Sequence, residues 1–273
     1  MLIDAETLNS LADVRILDVR YRLDKPDGRD DYAAGHIPGA VYVDMETELS
    51  QHGAPHDGRH PVPPAATLQA AARRWGIRPG QTVVAYDAGT ALGPGRAWWL
   101  LRGAGLADVR VLDGGLQAWT DAGLPVQTEI VAHEPSEIEL SDYVFPGGAI
   151  DIDEAAAWPR HGVLIDVRAA ERFRGEVEPM DPIAGHIPGA VNMPAAEYVD
   201  PATGVFRSPE EIRAAFAAVG AGDGQPAAAY CGSGVTAAQA ALAAAVAGVE
   251  VAVYPGSWSQ WSNTPGRPVA TGA

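Results

Sequence analysis

Gly35-His36-Ile37-Pro38-Gly39-Ala40-Val41 recurs without a change as Gly185-His186-Ile187-Pro188-Gly189-Ala190-Val191, 150 residues further along the chain. Two other segments keep the same order around it. Leu17-Asp18-Val19-Arg20 returns as Ile165-Asp166-Val167-Arg168, and Leu112-Asp113-Gly114-Gly115-Leu116-Gln117-Ala118-Trp119 resembles Tyr254-Pro255-Gly256-Ser257-Trp258-Ser259-Gln260-Trp261. A unit of roughly 120 residues is far longer than a solenoid repeat of ~20 to 45, so the chain reads as a duplicated domain. Its 273 residues suit two domains of ordinary size. The reading gives a first domain over 1–126, a polar linker over 127–149 and a second domain over 150–273.

Within each copy, short apolar runs alternate with helical patterns. In the first, 14–19, 40–43, 82–87 and 109–112 read as strands, with helices over 67–75 and 96–102. In the second, strands are expected over 162–167, 190–193, 226–230 and 249–254, with helices over 209–219 and 236–247. Continuous apolar strands separated by helices predict an α/β fold of two tandem copies, each a parallel sheet flanked by helices. In such sheets ligands bind at the carboxyl ends of the strands. Cys231 falls at such an end, and Asp87 holds the same position in the first copy.

Composition narrows the partners. With 19 basic and 35 acidic residues the formal charge is −16, which repels nucleic acid and an anionic membrane surface alike. An anionic small molecule would have to be collected by local donors, which draws attention to any basic residue beside a pocket. One cysteine excludes an intrachain disulfide and a thiolate zinc cage. The N-terminal Met1-Leu2-Ile3-Asp4-Ala5-Glu6 lacks the basic and apolar regions of an export signal, and the most apolar stretch, 237–254, is broken by Gln239, Gly248 and Glu250. A cytoplasmic protein is expected.

Ala227-Ala228-Ala229-Tyr230-Cys231-Gly232-Ser233-Gly234-Val235-Thr236-Ala237 predicts a strand, a glycine-rich turn and an alanine-rich helix. Two glycines let successive N–H groups curl inward as an anion nest, and the helix presents its positive end to the same point. Such a loop stabilises a thiolate, and equally a persulfide anion one atom longer.

Together with the two Gly-His-Ile-Pro-Gly-Ala motifs, the paired Asp-Val-Arg strands and Phe173-Arg174-Gly175, this loop resembles the tandem rhodanese-type sulfurtransferases, in particular their 3-mercaptopyruvate branch. The resemblance spans nearly the whole chain. It implies an inactive first domain, an active second one, and a site at their interface. A small anionic donor passes sulfane sulfur to Cys231, and the persulfide is discharged to a thiol, a thioredoxin-like dithiol or cyanide, with no cofactor. The loop residues Gly232, Ser233, Gly234, Val235 and Thr236 bind the donor with Arg174, whose guanidinium suits a carboxylate. Ser233, His60 and an acid, Glu46 or Asp44, match the family's relay. Asp87 and the turn after it hold no nucleophile in the first copy.

Motifs present in both copies cannot explain chemistry confined to one. His36, His186, Pro38, Pro188 and the Asp18/Arg20 and Asp166/Arg168 pairs therefore read as structural. His52, His56 and His60 are four residues apart, but Gly53, Pro55 and Pro61 interrupt any helix that would align them, so no metal site is expected. Neutral Gly232 and Ser233 after the cysteine place mercaptopyruvate ahead of thiosulfate as donor, while Met180 stands where mercaptopyruvate-type relatives often carry a second arginine. A cysteine phosphatase would need an arginine at position 237, which is Ala. A non-enzymatic sulfur-relay module is the remaining alternative.

Overall fold

The computed structural model describes residues 1–222 and 224–273. It divides into two compact units, neither continuous in sequence. One comprises Met1–Gln51, Val62–Phe145 and Asp200–Phe206, the other His52–Pro61, Pro146–Val199 and Arg207–Ala273.

The first unit is built on five strands: β1 (Leu2–Ile3), β2 (Val14–Asp18), β3 (Val41–Tyr42), β4 (Thr82–Tyr86) and β5 (Val109–Leu112). They pair in the order β1-β5-β4-β2-β3, every pair parallel. The helices are α1 (Ala5–Ser10), α2 (Arg29–Ala34), α3 (Ala65–Arg74), α4 (Leu92–Gly103) and α5 (Gly115–Asp121). Strand β4 runs Val83-Val84-Ala85-Tyr86 with every side chain fully buried, as a central strand covered on both faces requires. Much of the segment expected to be a linker packs into this unit. The Ser136 N–H donates to the Arg73 carbonyl at 2.9 Å, and Phe145 stacks on Trp99 at 3.8 Å between ring centroids.

The second unit carries β6 (Val163–Asp166), β7 (Val191–Asn192), β8 (Ala227–Tyr230) and β9 (Ala252–Val253), parallel and ordered β7-β6-β8-β9. Its helices are α6 (Ile152–Ala157), α7 (Ala170–Phe173), α8 (Pro209–Ala218), α9 (Val235–Val246) and α10 (Ser257–Ser262). Asp151 and Ser208 cap α6 and α8, each closing a capping box with the glutamate three residues on. Helix α9 is mostly alanine and buried nearly all round; small side chains of high helix propensity let it lie close to the sheet.

Both duplicated motifs are structural. His36 Nδ1 lies 2.8 Å from the Tyr32 carbonyl and its ring stacks on Tyr32, while His186 Nδ1 lies 2.7 Å from the Phe173 carbonyl and stacks on Phe173. Arg20 and Arg168 each bind the preceding aspartate and donate to a glycine carbonyl, of Gly35 and Gly185, at 2.6 Å. The strands expected over 190–193 and 249–254 shorten to two residues each, and β1 and the short helices α1, α2, α5, α6, α7 and α10 go beyond the expected elements. Segments this short give no resolvable hydrophobic period. No helix among the described residues is long and apolar enough to cross a membrane.

Candidate active site

The site grows from the end of β8. Its four residues are buried, and the chain turns at Cys231, itself 2 % exposed, before α9 begins at Val235. Gly234 makes the turn with φ +84, and a Cβ there would stand 2.3 Å from the Pro255 carbonyl oxygen, so both the conformation and the space demand glycine. The Gly234 N–H donates to Cys231 Sγ at 3.1 Å. In the first turn of α9, the N–H groups of Val235 and Thr236 have no acceptor within the helix. A helix N-terminus of this kind favours negative charge placed at its start.

Helix α10 fixes the loop from the other side. The Cys231 N–H donates to Ser257 Oγ at 3.1 Å, and that hydroxyl donates to the Tyr254 carbonyl at 2.9 Å. The Trp258 and Ser259 N–H groups donate to the carbonyls of Cys231 at 2.9 Å and Gly232 at 2.8 Å. Ser257 holds φ +54, a left-handed backbone rare outside glycine, and is fully buried.

His60 reaches the same loop. The segment before it is a short 3-10 turn, Pro55–Asp57, which ends at Gly58 with φ +88. The Arg59 N–H donates to Ser259 Oγ at 3.1 Å and anchors the segment on α10. His60 Nδ1 then lies 2.7 Å from Ser233 Oγ, both residues 4 % exposed. Which partner donates follows the imidazole tautomer.

Two guanidiniums flank the loop. A Cβ on Gly232 would lie 3.0 Å from Arg59 Nη2 and 3.6 Å from both Nη atoms of Arg172. Arg172 binds Glu178 at 2.6 Å and approaches Asp181 Oδ2 at 3.6 Å, while Arg59 binds Asp181 Oδ1. Burial pushes the Asp181 carboxyl above its ordinary range, opposed by Arg59 and Arg172. Arg174, expected to hold the donor, is placed elsewhere. It caps α7, is 39 % exposed along its side chain, and binds Glu176 at 2.7 and 2.8 Å. Two residues along a helix turn the side chain by roughly 200°, so α7 offers 172 to the loop and 174 to solvent.

Of the two acids, Asp44 is committed locally. It pairs with Arg29, and its Oδ1 accepts the N–H groups of Glu46 at 3.0 Å and Thr47 at 3.2 Å. Tyr198 had no signal in the sequence. It is fully buried, its hydroxyl has no hydrogen-bond partner among the described residues, and burial pushes it far up, with a further push from the nearby Cys231. Arg59 and Arg172 were legible only as cations adjoining other marked residues, and Ser257 only as part of the terminal repeat.

The first copy shows what the loop accepts. Asp87 Oδ1 takes N–H bonds from Gly89, Thr90 and Ala91 at 2.8, 2.9 and 3.1 Å, and Oδ2 takes the Thr90 hydroxyl at 2.6 Å and the Leu92 N–H at 3.2 Å. A carboxylate gathers the turn's donors at the position where, in the second copy, the cysteine sulfur accepts the Gly234 N–H.

A model of the Rhodanese-like domain matches residues 4–122 and again 151–264. A Mycobacterium tuberculosis (strain ATCC 25618 / H37Rv) protein with the provisional name thiosulfate sulfurtransferase SseB is 46 % identical over 260 residues, covering 95 % of this chain and 91 % of its own. The Homo sapiens 3-mercaptopyruvate sulfurtransferase is 38 % identical over 257 residues, 91 % of this chain and 84 % of its own. Among solved structures, the 3-mercaptopyruvate sulfurtransferase from Leishmania major superposes with a TM-score of 0.85 at 32 % identity, over 96 % of this chain and 74 % of that one.

Proposed function

Because the chain belongs to the rhodanese-like family, with two such domains in tandem, we propose that it is a sulfurtransferase that carries sulfane sulfur on Cys231. The observation that carries this reading is the loop itself: a buried cysteine sulfur already accepting a backbone N–H, in a nest whose first-domain counterpart is filled by a carboxylate. Asp87 cannot act as a sulfur nucleophile, so the second domain is the active one.

In the forward step the Cys231 thiolate attacks the sulfur of 3-mercaptopyruvate. The carbon–sulfur bond breaks, its electron pair leaves with carbon as the pyruvate enolate, and the enolate takes up a proton. The His60 and Ser233 pair, 2.7 Å apart, supports a general-acid role for that proton. The family resemblance offers Glu46 or Asp44 as the relay's carboxylate, and of the two Asp44 is paired with Arg29. Arg172 beside Gly232 supports the role first given to Arg174, holding the donor's anionic end. The outer sulfur, solvated by the N–H groups of Gly234, Val235 and Thr236, is then attacked by an acceptor thiolate, a thioredoxin-like dithiol or cyanide, and Cys231 leaves as thiolate. A lone, unpaired nucleophilic cysteine suits the reducing cytoplasm.

Thiosulfate is the second reading as donor, favoured by the provisional name of the Mycobacterium tuberculosis relative. Its leaving group, sulfite, needs no proton. Steady-state kcat/KM for both donors with cyanide as acceptor separates the readings. The expected result is a preference for mercaptopyruvate, with turnover abolished on both donors in Cys231→Ser. His60→Gln is expected to slow mercaptopyruvate by about a hundredfold and thiosulfate little. A preference for thiosulfate reverses the order of donors, and turnover surviving in Cys231→Ser removes the cysteine from the mechanism.

A further inference from the structure

We propose that Arg59 and Arg172 form a two-armed clamp for the donor's anionic group, and that the Asp181 carboxylate occupies this clamp until the donor displaces it. The proposal deepens the sulfurtransferase reading and rests on it. Its geometry is local to the cysteine loop. Arg59 Nη2 and both Nη atoms of Arg172 surround the hydrogen face of Gly232, at 3.0 and 3.6 Å from the Cβ that glycine lacks. Asp181 bridges the same two guanidiniums, Oδ1 to Arg59 and Oδ2 to Arg172 at 3.6 Å.

The bridge is incompletely satisfied. The Asp181 side chain is only 2 % exposed, yet Oδ2 has no hydrogen-bond partner among the described residues, and neither has the buried Nε of Arg59. Buried polar atoms ordinarily find partners, and a carboxylate ligand offers acceptors to the unpaired guanidinium nitrogen. Glu178, by contrast, is fully engaged by Arg168 and Arg172 and by the N–H groups of Met180 and Asp181. It is a fixed counter-ion, and Asp181 is the exchangeable one.

Charge balance points the same way. The ion-pair cluster sets three guanidiniums, Arg59, Arg168 and Arg172, against three carboxylates, Asp166, Glu178 and Asp181. So built, it holds no net positive charge for an anion entering a chain of formal charge −16. An anion gains the full attraction of both arms only by taking the place of a resident carboxylate. Asp181 sits in an irregular stretch between α7 and β7 rather than in a helix or strand, so its departure disturbs no ladder of hydrogen bonds.

The test measures binding apart from chemistry. In a Cys231→Ser background, dissociation constants for pyruvate and thiosulfate are measured by calorimetry with Asp181→Asn, Arg59→Met and Arg59→Lys added in turn. Asp181→Asn is expected to tighten binding of both probes by about tenfold, and Arg59→Met to weaken it by about tenfold, with Arg59→Lys between. Unchanged or weaker binding in Asp181→Asn overturns the proposal, because a residue that merely orients the arginines would weaken binding when neutralised. Unchanged binding in Arg59→Lys overturns it if Arg59→Met does not fold. Uptake of sulfur by the wild-type protein is scored separately. If it fails, the sulfurtransferase reading fails; if it succeeds while the binding order does not appear, only the clamp fails.

Discussion

Ser257 joins an uncommon backbone to a specific hydroxyl. Its φ of +54 would suit glycine better, yet its Oγ accepts the Cys231 N–H and donates to the Tyr254 carbonyl. Ser257→Ala keeps the strain and leaves that N–H and carbonyl unsatisfied, so it is expected to cost about 1 to 3 kcal/mol in urea unfolding and to slow sulfur uptake. A variant as stable as the parent would contradict the bridging role. Tyr198→Phe makes the opposite case. It removes a buried hydroxyl with no partner among the described residues and is expected to leave stability unchanged or raise it by about 1 kcal/mol. That Cys231, Ser233 and His60 meet at one loop was expected from the sequence, because each sits in a motif with a chemical reason for its residue types. Arg174 was expected beside the loop where the structure sets Arg172, because a four-residue helix leaves no periodicity from which to tell its faces. Asp181 carried no signal because the contact that marks it is with Arg59, 122 positions away.

At the scale of elements, the two copies of strand, loop and helix form a matched experiment. In the first, the β4-to-α4 loop closes on Asp87, which accepts five hydrogen bonds. Asp87→Ala removes the acceptor of all five, including the buried Ala91 N–H, and a loss of about 1 to 3 kcal/mol is expected in urea unfolding. A loss well under 1 kcal/mol would show that the loop does not depend on its carboxylate. In the second, Gly234→Ala places a methyl 2.3 Å from a backbone oxygen at φ +84. The loop must then open, and sulfur uptake is expected to fall by at least about tenfold, since misplacement by ~1 Å can cost ~100-fold. The longer strands and helices were legible from their hydrophobic runs. β9, only two residues long, was overextended because apolar residues beyond a ladder look no different in sequence from those within it.

For the whole molecule, duplication separates what the fold keeps from what differs between the copies. Both keep the Asp-Arg pair and the histidine that stacks under the Gly-His-Ile-Pro turn, while only the second carries a cysteine. The repeat was legible at once, because identical motifs at nearly constant spacing need no tertiary knowledge. The division into units was not. Residues 52–61, which carry Arg59 and His60, belong to the compact unit that holds Cys231, and 200–206 belong to the other. No shift of composition marks those excursions, which are set by hydrogen bonds such as Arg59 N–H to Ser259 Oγ and Phe206 N–H to Asp113 Oδ1. Intact-protein mass spectrometry after incubation with 3-mercaptopyruvate, and separately with thiosulfate, tests the central claim most directly. The expected spectrum gains the mass of one sulfur atom, lost on reduction and absent in Cys231→Ser, whereas no adduct with either donor would contradict a Cys231 persulfide and leave a non-catalytic module.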